Sequence, residues 1–480
     1  MLIHIYRISI LLTAICFAFF SSAVANEGND SPQRNEPPTP SLAASQSDQK
    51  ILSLDNLIKI ALENNRKIEV VRQKLAQSQG LLTQVRSGYL PRLAIQGRYN
   101  YTERKDSALS EGFENTSSSG GQITADFNET ETDDVVHGSV NLSQLIYDFG
   151  KTTGSIDVGK SNLQAADAHL QRQVQTIVFQ VKEAYYNVLE KRRLIEVAAE
   201  SVKSFEQHLE RAKIYHKAGV RTRFDVINAE VELSNSKMGL LRAQYNFKTA
   251  RVALVQVLGI QPNQNQYTLD SDDLPLDNIL ESMPPLPDTL DNLKKEAIKQ
   301  RPDIIQLHLL TEAAKANLAR IKGDYWPSIS AEAKYNEYDT DLSLYKDSWE
   351  VGIACTWELF SGFQTQGAVA EAMGRLLENK AQLQDLELTV AREVTESYLQ
   401  TDENREGVQI ALQTLELAKE NLLLAEKRYQ SGSYDVIEFN DAQLSLTRTQ
   451  NELVVTYYGY LTALASVEHA IGRLAPKTLN

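Results

Sequence analysis

The chain has 480 residues, with 63 acidic against 49 basic side chains, a formal net charge of −14 and two cysteines. That balance argues against a nucleic-acid partner, because a phosphate backbone demands a basic face. Past Phe20 no apolar stretch approaches the ~20 residues of a membrane helix, so any membrane crossing must use strands.

Residues 1–25 read as a secretory signal peptide. Arg7 precedes the apolar run from Ile8 to Phe20, and Ala23-Val24-Ala25 offers small residues at a cleavage site before Asn26. Thr13-Ala14-Ile15 makes a poor lipobox for Cys16, so ordinary cleavage is expected over lipidation. The mature chain then keeps Cys355 alone and no intrachain disulfide. Residues 26–50, with Pro32, Pro37, Pro38 and Pro40 among polar neighbours, are expected to form a flexible leader.

The rest repeats itself. Leu57 to Leu93 aligns without a gap on Leu293 to Ile329, carrying Ala61, Ile68, Tyr89 and Pro91 onto Ala297, Ile304, Tyr325 and Pro327, a spacing of 236. Phe149-Gly150 aligns on Ser361-Gly362, and Gly219, Ala229, Leu258 and Gly259 align on Gly432, Ala442, Ile471 and Gly472. The spacing drops by 24 after the first anchor, placing one insertion in the first half between Pro91 and Gly150. The repeats are expected at 51–260 and 289–472, with a linker at 261–288 and a tail at 473–480.

In chain order, each repeat opens on a helix-spaced segment and continues into period-two strands. Leu93, Ile95, Gly97, Tyr99 and Tyr101 share one face; Gly138, Val140 and Leu142 another; Ile329, Ala331, Ala333 and Tyr335 a third. The fourth sets Trp349, Val351, Ile353, Cys355, Trp357 and Leu359 against Glu350, Gly352, Ala354, Thr356 and Glu358. One apolar and one polar face suit a transmembrane barrel strand, and Trp326, Trp349 and Trp357 lie at strand ends as interfacial aromatics do. Four strands cannot close a barrel, so the chain must oligomerise to make a pore. The polar loop from about Thr102 to Val135 is expected to face the cell exterior.

About 70 proline-free residues then run from Gly150 to Gly219, and again from Gly362 to Gly432. As helix each could reach about 100 Å. Ile195, Ala198, Val202, Phe205, Leu209 and Ala212 step by three and four, as does the returning series Ala229, Leu233, Ser236, Leu240, Ala243 and Phe247. This is coiled-coil spacing. Gly219 and Gly432 end the ascending helices, where a left-handed residue is needed. Asp225 follows in the first repeat, and Glu438 and Asp441 in the second, where the plain reading of Glu438 and Asp441 is helix N-terminal acids complementing the dipole.

No enzyme signature is present. Gly150-Lys151-Thr152-Thr153 lacks the phosphate-loop glycine, its place being held by Leu145, and the seven histidines show no metal-ligand spacing. No catalytic residue, metal or cofactor is expected.

Gly88-Tyr89-Leu90-Pro91 with Tyr325-Trp326-Pro327, Arg301-Pro302-Asp303, Tyr147-Asp148-Phe149-Gly150 with Leu359-Phe360-Ser361-Gly362, Phe224-Asp225-Val226, and Arg428-Tyr429-Gln430-Ser431-Gly432 leading to Asp441-Ala442-Gln443 occur in a duplicated order. Over nearly all of the mature chain this order resembles the TolC-like outer-membrane efflux and type I secretion channel family. The resemblance implies a mixed α/β membrane protein and a homotrimer in outer-membrane lipid. Each repeat gives a β-hairpin to a 12-stranded barrel and a long coiled-coil hairpin to a periplasmic helical barrel. It also implies a periplasmic adaptor and an inner-membrane pump of RND, ABC or MFS type. It places a closable entrance at Tyr429, Tyr434, Glu438 and Asp441, with Phe224 and Asp225 opposite. Relatives carry an arginine where Tyr434 stands, whereas here Arg221 and Arg223 occupy the first repeat. Two other readings are a periplasmic or surface coiled-coil scaffold without a pore, and a diffusion porin.

Overall fold

The computed structural model describes residues 50–105, 130–261, 267–269, 279–339, 346–430 and 436–473. The signal peptide, nearly all of the leader, most of the first hairpin loop, much of the linker, Gly432, Tyr434 and the tail beyond Arg473 lie outside them. Ile51–Asn480 is one compact unit and is the unit described below.

The first repeat comprises α1 (Leu54–Asn64), α2 (Arg66–Arg86), β1 (Arg92–Lys105), β2 (Thr130–Tyr147), α3 (Lys151–Lys217) and α4 (Arg223–Leu258). The second comprises α5 (Leu290–Gln300), α6 (Pro302–Lys322), β3 (Ser328–Asp339), β4 (Lys346–Thr356), α7 (Gln364–Gln430) and α8 (Val436–Ile471). The helices match in length pair by pair: 11, 21, 67 and 36 residues in each repeat.

One alignment needs correction. The strand-to-helix junction uses two consecutive left-handed residues, Phe149 and Gly150 in the first repeat and Gly362 and Phe363 in the second. Two such residues in a row form the same turn whichever of the two is glycine, so matching glycine to glycine slips the register by one. The junction therefore keeps the spacing of 213 found further along, from Lys151 to Gln364.

The four strands form one antiparallel sheet in the order β1-β2-β3-β4. Its register carries the period-two pattern across the sheet up to a bulge between Leu145 and Tyr147 at the helix-proximal end of β2. Leu93, Leu142, Ala333 and Val351 form one row, and Ile95, Val140, Tyr335 and Trp349 the next on that face. The intervening row is Ala94, Asn141, Lys334 and Glu350. One face is thus apolar and one polar, and a one-residue slip anywhere would mix them. At the helix-proximal end Trp326 stacks on Phe149 (5.4 Å), and the Trp357 indole N–H donates to the Tyr325 carbonyl (3.1 Å). Trp349 is exposed towards the loop end of β4. Among the described residues no helix is long and apolar enough to cross a membrane.

The core lies where the short helices brace the long ones. Leu57, Ala61 and Ile68 bury against Ile177, Val181, Val188, Leu254 and Leu258. In the second repeat Leu293, Ala297 and Ile304 meet Val390, Val394, Val467 and Ile471. The two braces share a polar device. Asn65 Nδ2 donates to the Val257 carbonyl (2.8 Å), and at the matching site Arg301 Nη1 donates to the Ala470 carbonyl (3.2 Å). Each thereby ties the end of a returning helix to the brace. Gly259 closes the first tie at φ +72°, where a Cβ would lie 2.7 Å from the Asn64 carbonyl oxygen. Gly259→Ala is expected to lower stability by about 1–3 kcal/mol through strain and overpacking. An unchanged midpoint in thermal unfolding would refute this.

Two apolar stripes remain uncovered. On α7, Leu377, Leu388, Leu399, Ile410, Leu417 and Leu424 are all exposed, Leu388 at 73% and Leu417 at 66%. They step by 11, 11, 11, 7 and 7, periods that keep one helix face aligned over its length. On α4, Phe224, Val231, Met238, Tyr245 and Val252 are exposed at strict sevens. Moved by 213 residues, the α7 stripe from Leu388 onward falls on Gln175, Tyr186, Val197, Ser204 and Arg211 of α3. Three of these bind the second repeat. Gln175 donates to the Gly472 carbonyl (2.8 Å), Ser204 to Gln443 (2.6 Å), and Arg211 pairs with Glu426. The α7 stripe is therefore the copy, in the second repeat, of the surface by which the first repeat binds the second.

Candidate gate at the helical tips

The first tip is built by local rules. After α3, Val220 N–H donates to the Tyr215 carbonyl (2.9 Å) and Gly219 N–H to His216 (3.0 Å), with Gly219 at φ +76°. These are the paired bonds of a Schellman end, which only a left-handed residue closes without strain. α4 then opens on a capping box. Asp225 N–H donates to Thr222 Oγ1 (3.4 Å), while the Asp225 carboxylate accepts from the Thr222 N–H (2.9 Å) and hydroxyl (3.0 Å). Asp225 is buried, so its carboxylate serves the tip's own fold.

Arg221 reaches across to the second hairpin. Its guanidinium carbon sits 4.6 Å above the Tyr429 ring, and Nη2 donates to the Tyr429 carbonyl (3.2 Å). Tyr429 is buried near the end of α7, and burial pushes its phenol pKa upward. A cation over a desolvated aromatic face, with a charge-assisted hydrogen bond to the same residue, makes a firm two-point link. Beneath it Arg211 of α3 pairs with Glu426 of α7.

The structure thus brings Arg221, Tyr429 and, through Thr222, Asp225 together at one inter-hairpin contact. Arg223 and Phe224 stand exposed on the first tip, and Glu438 and Asp441 are exposed on the opening turns of α8. Gly432 and Tyr434 lie outside the described residues. Sequence reasoning set His208 aside with the other histidines and missed Arg211, Glu426 and Phe439. His208 is fully buried, its ring stacked on Phe439 (4.2 Å) and tilted against Tyr429 (5.1 Å). Nothing in the helix pattern sets it apart, since its repeat partner is Asn421. Among the described residues no group of His, Cys, Asp and Glu could hold a metal ion.

A long helical hairpin pair below a two-faced, four-stranded sheet defines a channel-forming envelope protein. The profile of the family described as "Outer membrane efflux protein" matches residues 57–260 and 293–473, and the chain belongs to that family. The chain is 22% identical over 428 residues to the "Alkaline protease secretion protein AprF" of Pseudomonas aeruginosa, covering 86% of this chain and 83% of that one. It is 21% identical over 412 residues to the "Outer membrane protein TolC" of Escherichia coli, covering 83% and 78%. The solved outer-membrane channel OprN superposes with a TM-score of 0.74 at 17% identity, covering 87% and 89%. VceC of Vibrio cholerae gives 0.71 at 19%, covering 87% and 96%. The protein is accordingly an outer-membrane channel that extends into the periplasm.

Proposed function

We propose that three copies of this chain close into a passive exit duct, opened at its periplasmic tip, that serves a tripartite export system. The single observation carrying the assembly is the pair of uncovered stripes on α7 and α4. In the first repeat the matching surface of α3 already binds α8, so α7 of one copy is suited to bind α4 of the next by the same operation. Edge strands β1 and β4 run antiparallel, so neighbouring copies can join edge to edge and leave no unpaired backbone in lipid. Three copies supply twelve strands. A scaffold without a pore gives no reason for a sheet with one apolar and one polar face.

In this reading Arg221 and Tyr429 hold the tips together, Asp225 fixes the turn that presents Arg221, and Gly219 and Gly432 shape the turns. Arg223, Phe224 and Tyr434 edge the entrance, and Glu438 and Asp441 ring it with carboxylates. Trp326, Trp349 and Trp357 mark the membrane interfaces. The partners are a periplasmic adaptor and an inner-membrane pump, of the RND, ABC or MFS type, and the cargo is an exported protein or a toxic small compound. The chain acts as a conduit without catalysis. Names among the relatives support both cargoes, one being a protease secretion protein and another the "Toluene efflux pump outer membrane protein TtgC" of Pseudomonas putida.

The test is conductance of the purified protein in a planar bilayer, paired with affinity capture from cross-linked membranes. Channel steps together with a captured adaptor and pump support the reading, and absence of any conductance sinks it. A finer expectation concerns the acids. A narrow ring of like charges concentrates counter-ions. Replacing Glu438 and Asp441 by Ala should abolish cation preference and block by multivalent cations, with assembly intact. Wild-type selectivity in that double variant would make these acids helix-end residues only.

A further inference from the structure

We propose that His208 is a proton-sensitive latch that holds the two hairpin tips of each copy together and releases them in acid. The proposal rests on the tip being the gate.

The geometry carries it. His208 projects from α3 into the contact between the repeats, fully buried, stacked on Phe439 of α8 at 4.2 Å and 16°, and against Tyr429 of α7 at 5.1 Å. Neither ring nitrogen has a hydrogen-bond partner among the described residues, and neither does the hydroxyl of the adjacent Tyr429. Buried polar atoms left unpaired are rare and costly, and a phenylalanine could stack there without them. An imidazole kept at that cost points to what only an imidazole does near neutral pH, which is to take up a proton.

The surrounding charges set the direction. Arg211 faces His208 from its own helix, Asp225 from the start of α4, and Glu426 and Tyr429 from α7; α8 contributes the uncharged Phe439. Arg221 covers the Tyr429 ring. Burial foremost, then Arg211, lowers the His208 pKa from 6.5 to about 4, against the pull of Asp225 and Glu426. The closed contact therefore holds the neutral ring, whereas an opened, hydrated tip lets it return towards 6.5. Closure is fully favoured above about pH 6.5 and is lost as the pH falls towards 4. Linkage makes the shift about tenfold at pH 5.5 and about 300-fold across the window.

The device sits in one place per copy. The residues matching His208, Phe439 and Tyr429 at the other contact are Asn421, Val226 and His216. Acid would thus part the first hairpin from the second within a copy before it loosened the contact between copies.

Resting conductance of the full-length assembly should be measured in a planar bilayer from pH 7.5 to 5.5, for wild type, His208→Phe and His208→Leu. The three proteins differ only at residue 208, so the difference between them isolates His208. Wild type should open about tenfold more often at pH 5.5, and both variants should stay flat. A wild type without the rise overturns the latch, as does a rise retained in the variants. Failure of both variants to assemble would make His208 a packing residue and overturn it too. Arg221→Ala separates the underlying reading: unchanged resting conductance at pH 7.5 in that variant means the gate lies elsewhere.

Discussion

Replacing Arg301 by Ala should remove on the order of 2–4 kcal/mol of stability, because it leaves the buried Ala470 carbonyl and the part-exposed Asp303 and Glu393 carboxylates without their cation. The side chain is 2% exposed. Nε and Nη2 grip both oxygens of Asp303 (3.0 and 2.6 Å), while Nη1 reaches Glu393 of α7 (2.6 Å) and the Ala470 carbonyl of α8 (3.2 Å). Arg172 of α3 adds an ion pair to Asp303 (3.6 Å) and a hydrogen bond to the His469 carbonyl (3.0 Å). One guanidinium therefore pins the start of α6 to both long helices of the second repeat, and α3 shares its counter-ion.

Burial raises the Asp303 pKa, but the hydrogen bonds from Arg301 and the charges of Arg172 and Arg301 outweigh it and hold the carboxylate below its ordinary 3.8. A depressed carboxylate stabilises the fold above its unfolded pKa and loses that contribution as the pH falls through the folded one. The wild type should therefore lose this contribution only below about pH 4, a step that Arg301→Ala should largely lack. Arg301→Lys should rescue little, since an ammonium cannot make the two-pronged grip. Thermal and denaturant melts of the three proteins, at pH 7 and again well below the ordinary 3.8 of the carboxylate, test this. A lysine variant as stable as wild type would show that charge alone suffices.

The duplication could be read from the chain because it is written in spacings, and a spacing survives without knowledge of contacts. Leu57 and Leu293 occupy corresponding core positions, and the strand faces around Val351 and Val140 share one side of the sheet as their alternation requires. The slip at the junction shows the limit: Phe149-Gly150 and Gly362-Phe363 have the same backbone but opposite residue order, and residue identity misleads where conformation decides. At the tip, Asp225 could be picked out as an acid just past Gly219, whereas its capping bonds to Thr222 could not, and these compete with any role in binding a neighbour. His208 and Phe439 were not legible. They lie 231 positions apart on different helices, and a heptad pattern says which face is apolar without saying which helix will cover it. For the same reason the stripe from Leu388 to Leu424 was missed, since its stride of 11 breaks the seven-residue rhythm used to find the inner seam.

That outer stripe leads to the largest expected effect on assembly. Ile410→Lys with Leu417→Lys should leave a folded monomer that no longer forms the trimer. Burying an aliphatic side chain of this size contributes roughly 1.5–3 kcal/mol. Each copy would lose two such contacts at every seam and would have to desolvate two ammonium groups in their place. Neither residue is covered within its own copy, at 62% and 66% exposure, so the hairpins themselves should fold as before. Helical content by circular dichroism should stay near wild type while the mass in mild detergent falls to that of one chain. Lys419→Gln, exposed on the opposite side of the same helix, should leave assembly unchanged. A trimer that persists with both lysines would mean that α7 does not meet a neighbour along this face, and that the two repeats do not extend around the barrel by the operation that joins them within one copy.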